Sequence, residues 1–184
     1  GKSVMLFDCD PQGTVSHWHA GRKTNDIGLI ATSGWRLTRD LAMASDVNDV
    51  VVIDCAPHAE MDIKVATRNA DLVLVPIQPS PADVWAVKDT MKTIMEQNAN
   101  ALAVMNRVTF RANINQEMQD KLAAMDVPVA TQTLGNRVNF AAAMENGQTV
   151  LDGFKNRSAE EFDALFEEIQ TAAGLKKQAK KPAQ

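Results

Sequence analysis

The sequence predicts an α/β fold: a doubly wound, mostly parallel sheet with helices on both faces. Two observations carry this reading. Short apolar runs of strand length alternate along the chain with segments of helical periodicity, the pattern of strand–helix–strand units. Two of the runs, Val4-Met-Leu-Phe and Val50-Val-Val-Ile, are continuously apolar, as expected of parallel strands covered on both faces, and each ends in an aspartate.

Residues 4–7 form the first predicted strand and residues 27–32 a weaker one, with a short helix over 35–44. Residues 50–53 are a strand and 61–69 a helix. Leu72-Val-Leu-Val-Pro-Ile77 is a strand in which Pro76 is expected to mark the end of ladder pairing. Pro81 suits the first turn of a long helix. Val84, Val87, Met91, Ile94 and Met95 share one face of that helix, and Trp85 beside them is expected in the core. Residues 101–105 and 127–130 read as strands, and Ile114, Met118 and Leu122 stripe the helix between them. A helix over 137–145 stops at Asn146-Gly147. Ser158-Ala-Glu-Glu161 reads as a capping box ahead of a stripe made by Phe162, Leu165, Phe166 and Ile169.

With 184 residues, 45% apolar and 23% charged, the composition is that of an ordinary globular protein with a substantial core. Residues 1–175 are expected to form one domain, and the Lys- and Pro-containing tail 176–184 to be disordered. No apolar run approaches the roughly 20 residues that span a bilayer. The net charge of −4 argues against a globally basic nucleic-acid binder while allowing a local basic patch. Cys9 and Cys55 directly follow the two strand-end aspartates. A disulfide would need those strands to be neighbours, and reduced packing residues in a cytosolic protein are the expectation.

The chemistry concentrates where strands end in acids. Asp8-Cys-Asp10-Pro-Gln-Gly13 and Asp54-Cys-Ala-Pro57 deliver carboxylates to the rim of a sheet, where α/β proteins bind metal and phosphate. The plainer reading of each aspartate is a strand-end residue capping the next helix. His17 and His19 are two apart and do not share a helix face, so no metal site is expected there.

Taken in order, these segments resemble the ParA-type (ParA/MinD, deviant Walker A) partition ATPases. Lys2-Ser-Val-Met-Leu-Phe-Asp-Cys-Asp-Pro-Gln-Gly13 is similar to the family's second-strand signature, and Val51-Val-Ile-Asp-Cys-Ala-Pro57 to its Walker B segment. Ala70-Asp-Leu-Val-Leu-Val-Pro-Ile-Gln-Pro-Ser80 resembles the next strand and loop, and Met105-Asn-Arg-Val108 the nucleotide-base segment. Arg137-Val-Asn-Phe and Gly147-Gln-Thr-Val150 resemble the late helix and turn. The match covers about residues 2–157 and implies a P-loop NTPase-like sheet of the SIMIBI type.

The resemblance implies ATP and Mg²⁺ as cofactors. Asp54 would hold Mg²⁺ through water, with Asp8 near the same water shell, and Asp10 would orient the attacking water. Gln12, within a switch loop that Pro11 begins, would sense the nucleotide, as would Pro57 beside His58 in a second loop. Asn106 would contact the adenine, with Arg107 alongside; an amide offers a base edge both a donor and an acceptor. Non-specific DNA binding would fall to Arg111, Arg137, Lys155 and Arg157, with the lysines of the tail as an auxiliary. Implied partners are a second copy that dimerises on ATP, a ParB-like or other small adaptor, and nucleoid DNA in the bacterial cytoplasm, with no membrane.

Family members begin with a strand, a Gly-rich loop carrying two lysines, and a helix. Gly1-Lys2-Ser3 opens a strand rather than a helix, so it is not that loop. A unit of roughly 30 residues is therefore expected upstream, either cut from this sequence or supplied by another chain, and tight ATP binding by this polypeptide alone is not expected. Two other classes remain as alternatives. A MinD-like membrane ATPase would need a basic amphipathic C-terminal helix, whereas residues 158–170 carry Glu160, Glu161, Asp163, Glu167 and Glu168 and no base. A non-catalytic fragment or scaffold is the other. An amidotransferase-type synthase sharing the nucleotide core would need a substrate domain for which no length remains.

Overall fold

The structure, a computed structural model, describes residues 1–56, 60–109 and 113–175. The chain divides into two compact units, one of Gly1–Asn69 with Val138–Phe154, the other of Ala70–Arg137 with the residues from Lys155 onward.

The first unit holds a parallel sheet of three strands, β1 (Val4–Asp8), β2 (Gly28–Ala31) and β3 (Val50–Asp54), in the order β2-β1-β3. β1 is central and pairs in parallel with both neighbours. One face of the sheet turns Phe7, Met5, Ile30, Val51 and Ile53 against α2 (Trp35–Ser45), whose Leu37, Leu41 and Ala44 complete a dry cluster. Val65 of α3 (Glu60–Asn69) packs against the same cluster. A short helix, α1 (Thr14–Ala20), follows the Asp8–Gly13 segment, and α6 (Val138–Glu145) closes the unit.

The second unit is built on a parallel pair, β4 (Val73–Ile77) and β5 (Ala101–Met105). Alternation along β5 sends Ala103 and Met105 to one face, where α4 (Pro81–Glu96) and α5 (Asn113–Ala123) contribute Val84, Val87, Met91, Ile94, Met118 and Leu122. Leu102 and Val104 point to the other face and pack with Leu165 and Ile169 of α7 (Arg157–Ala172). Helices thus lie on both faces of β5, whereas Leu74 of β4 and, in the first unit, Val52 of β3 remain exposed, so those apolar runs are not covered on both faces as expected.

Several expectations are corrected. Ladder pairing runs through Pro76 to Ile77 rather than stopping there. Val73 N–H and Ile77 C=O both bond toward β5, so Pro76, one residue out of phase, turns its missing N–H to the unpaired edge at no cost. Trp85 and Met95 are exposed rather than core, since the buried stripe of α4 is the narrower Val84, Val87, Met91, Ile94 face. Residues 127–130 contribute one parallel bridge, Val129 to Ala103, and no ladder. α7 is capped by Asn156, whose side-chain oxygen accepts from the N–H groups of Ser158 and Ala159; Ser158 sits inside the helix and is buried. α1 has no counterpart among the expected elements.

Gly147 ends α6 with φ +63° and lies against the start of the loop after α1. A Cβ there would sit 2.3 Å from the Gly21 carbonyl carbon and 2.5 Å from the Arg22 nitrogen, both backbone atoms that cannot swing aside. The Arg22 guanidinium donates to the Gly147 carbonyl at 3.2 Å and lies over the Trp18 ring, 4.8 Å from its centroid. Gly147→Ala is expected to cost about 2 kcal/mol or more and to lower the melting temperature by roughly 4–8 °C. An unchanged thermal melt would show that the two backbones separate freely.

Candidate nucleotide and metal site

The register of the first sheet sets the geometry. Asp8 and Asp54 are direct partners across β1 and β3, so their side chains leave the same face at the C-terminal ends of neighbouring strands. The ladder continues one step further, with the Cys9 N–H donating to the Asp54 carbonyl at 2.8 Å. Asp10 follows in a tight turn, its carbonyl accepting from the Gly13 N–H at 2.9 Å. Asp8, Asp10, Gln12 and Asp54 are therefore gathered at one end of one sheet.

Their environments differ. Asp8 is buried at 4% exposure and well partnered. Its Oδ2 accepts the Ser16 N–H at 2.8 Å and the Ser16 hydroxyl at 2.5 Å, and its Oδ1 accepts the Asp10 N–H at 3.3 Å. Ser16 lies in the first turn of α1, where backbone N–H groups lack helical acceptors and the helix end favours negative charge. Asp8 thus caps α1 from the strand, the structural role weighed for it from sequence. Asp10 accepts the Gln12 N–H at 2.8 Å, which fixes the turn. Gln12 itself is exposed.

Asp54 has no such compensation. None of the described residues donates a hydrogen bond to its carboxylate, and burial, then the charges of Asp8 and Asp10, push its carboxyl above the usual range. A carboxylate that is half-buried among other carboxylates and lacks donors is a position that a cation would relieve. The described residues contain no cluster of three or more His, Cys, Asp or Glu able to hold a metal by themselves. That matches Mg²⁺, a hard ion bound through one or two carboxylates that fills its shell with water and phosphate oxygens. Asp54 and Asp8 fit this demand.

Two further residues support the site. Ser16, which the sequence did not single out, orients Asp8. His17, weighed from sequence only as a metal ligand, instead serves the turn: its Nδ1 lies 2.7 Å from the Gly13 carbonyl, which only accepts, so the proton is on Nδ1, and the same carbonyl accepts the His17 backbone N–H at 2.9 Å. This double clamp holds Gly13 at φ +65° and with it the turn that carries Asp10. Cys9 and Cys55 are free thiols. The two pack in one cluster, and the neighbouring Cys55 thiol, then burial, pushes the Cys9 thiol up, while Cys9 lowers that of Cys55.

The remaining residues lie in the second unit or outside the described residues. Asn106 follows β5; its N–H donates to the Ile77 carbonyl and its Oδ1 accepts the Arg107 N–H, each at 2.8 Å. Arg107 is exposed and adopts φ +53°, a left-handed turn stabilised by that side chain. Arg137 and Arg157 share one acid. Glu161 receives a two-pronged contact from Arg137, a longer one from the Arg157 Nε at 3.5 Å and the Gly135 N–H at 3.1 Å. The Arg137 hydrogen bond holds the Glu161 carboxyl below its usual range. Lys155 is exposed. Pro57, His58 and Arg111 lie outside the described residues.

Comparison with known proteins bears on this arrangement. The maintenance of carboxysome distribution protein A of Halothiobacillus neapolitanus is 30% identical over 177 residues, covering 90% of this chain and 82% of that protein. The chain belongs to the ParA/MinD-type family of ATPases. Among solved structures, apo McdA of Cyanothece superposes with a TM-score of 0.77 at 13% identity, covering 92% of this chain and 88% of that one. MinD of Pyrococcus horikoshii, complexed with Mg-ADP, superposes with a TM-score of 0.74 at 15% identity, covering 97% and 88%. At such identities these structures speak to the fold, a parallel α/β P-loop type. No protein-family profile matches the chain.

Asp54 provides a test with a defined sign. Because its folded carboxyl titrates above its unfolded value, the folded state binds more protons in that interval, and stability from this group falls as pH rises through it. Above the interval the penalty is fully present. Asp54→Asn should therefore raise the melting temperature of metal-free protein at pH 7.5 by a few degrees. It should also blunt the rise that Mg²⁺ produces in the unsubstituted protein. A lower melting temperature for Asp54→Asn would contradict the uncompensated charge.

Proposed function

We propose that the chain belongs to an ATP-hydrolysing positioning protein that dimerises on ATP, binds nucleoid DNA without sequence preference and moves cargo with a small adaptor. The observation that carries this reading is the gathering of Asp8, Asp10 and Asp54 at the ends of two paired strands, with no donor to the Asp54 carboxylate among the described residues. Phosphoryl transfer to water requires charge neutralisation at the phosphate oxygens and a positioned nucleophile. Mg²⁺ supplies the first when bound. Asp54, assisted by Asp8, would anchor its water shell. Asp10, held by the Gln12 amide and the clamped Gly13 turn, would orient the attacking water and accept its proton. Asn106 offers its carboxamide to the adenine.

Cargo positioning is supported by the carboxysome-distribution name of the Halothiobacillus relative. No helix among the described residues is long and apolar enough to cross a membrane. α7 carries Glu160, Asp163 and Glu167 on its exposed side, which an anionic membrane surface would repel.

In the complete protein, Asp10→Ala should leave nucleotide binding within a few-fold and lower hydrolysis by about 10²–10⁴-fold. Undiminished turnover would reject the role of Asp10. Failure of the complete protein to bind ATP at all would favour a non-catalytic scaffold instead. DNA affinity should fall steeply with salt, and Lys155→Ala should reduce the salt slope by about one. Glu161→Gln, by releasing Arg137 and Arg157 from their shared acid, should strengthen DNA binding. Weaker binding by that variant would remove those arginines from the interface.

A further inference from the structure

Cys9 and Cys55 are nucleophiles that the proposed reaction leaves unused, and the fold brings them side by side. Each follows a strand-end aspartate, Asp8 and Asp54 are direct partners in the parallel register, and the Cys9 N–H to Asp54 carbonyl bond carries the pairing past them. Residues paired across neighbouring strands lie about 4.7–4.9 Å apart and share a face. That spacing falls within the roughly 4.4–6.8 Å between Cα atoms that a disulfide spans. The two side chains pack in one cluster with Phe7 and Leu37. Cys9 is sealed in the core at 3% exposure, whereas Cys55 is half-buried and is the more accessible of the two residues.

We propose that Cys9 and Cys55 form a reversible oxidation site, closed to an intramolecular disulfide by a hydroperoxide, and that closure weakens cation binding at the adjacent carboxylates. The chemistry balances in two steps. The Cys55 thiol attacks the peroxide oxygen, giving a sulfenic acid and one water when hydrogen peroxide is the oxidant. The Cys9 sulfur then attacks the Cys55 sulfur, forming the S–S bond, and the sulfenic hydroxyl leaves with the Cys9 proton as a second water. Two thiols are oxidised and one peroxide bond is reduced. Closure must draw the two sulfurs from packing contact to bonding distance, about 2.05 Å. The backbone atoms that move belong to the residues next to Asp8 and Asp54. Asp8 is tethered to Ser16 and Asp10, so the displacement falls on Asp54, whose carboxylate has no such tether among the described residues.

The effect on the cation rests on the reading of Asp8 and Asp54 given above; the disulfide itself does not. The test treats the full chain with one equivalent of hydrogen peroxide and follows thiol titration, peptide mapping and the Mg²⁺-induced shift in melting temperature. Both thiols should disappear, and peptides containing Cys9 and Cys55 should be recovered linked within one molecule. The Mg²⁺ shift should fall at least several-fold, and dithiothreitol should restore it. Cys55→Ser should keep its Mg²⁺ shift after peroxide, which separates the disulfide from oxidation elsewhere. Surviving thiols, or links only between molecules, would overturn the oxidation site. A linked protein with an undiminished Mg²⁺ shift would overturn its regulatory effect. A reduced protein without any Mg²⁺ shift would instead reject the cation reading, and peptide mapping would still decide the disulfide.

Discussion

Alignment of β1 with β3 places two carboxylates on adjacent strand ends, and the local structure around them is organised by that crowding of negative charge. Like charges at strand spacing repel, and burial removes the water that would screen them. The fold answers unevenly. Asp8 receives the first turn of α1 through Ser16, and Asp10 receives a backbone N–H from its own turn. Asp54 receives nothing comparable among the described residues, and burial with the neighbouring charges raises its carboxyl. That uncompensated charge is what the proposed Mg²⁺ would offset.

The hydrophobic scaffold holds this arrangement without taking part in it. In the first unit, Phe7 is fully buried one residue before Asp8, and Leu37 and Leu41 of α2 lock the face from which it projects. A one-residue slip of β1 would put Phe7 into solvent and Asp8 on the wrong face, so core packing and site geometry select the same register. In the second unit, β5 is covered on both sides, which places Asn106 at a well-fixed strand end. Pro76 turns its missing donor to the free edge of β4, where it costs no ladder hydrogen bond.

Charge elsewhere is also allocated in pairs. Glu161 draws in Arg137 and Arg157 together, so the two arginines proposed for DNA are partly neutralised by one acid. In a chain of net charge −4, such pairing restrains non-specific phosphate binding and leaves exposed Lys155 as the less encumbered contact. Arg22, by contrast, is spent structurally. It ties Asp26, the Trp18 ring and the Gly147 carbonyl together, so the helix behind the Asp10 turn is braced against α6.

The sequence by itself determined the α/β class, the strands and most of the helices, because apolar runs and helical stripes report burial directly. It also pointed to carboxylates suited to phosphate chemistry at the sheet rim, since Asp8 and Asp54 end strands and Asp10 follows in the turn after β1. It could not reveal α1, whose seven residues, Thr-Val-Ser-His-Trp-His-Ala, carry too little periodicity to register. Nor could it reveal Ser16, His17 or Glu161 as partners, because those bonds depend on side-chain direction and on loops whose course local pattern does not encode. Only the tertiary structure decided that Trp85 faces solvent, that Asn156 caps α7, and that Cys9 lies beside Cys55. The physical reason is the same in each case. Periodicity records whether a position is covered, whereas pairing and charge compensation depend on what covers it, and that is settled only when distant segments meet.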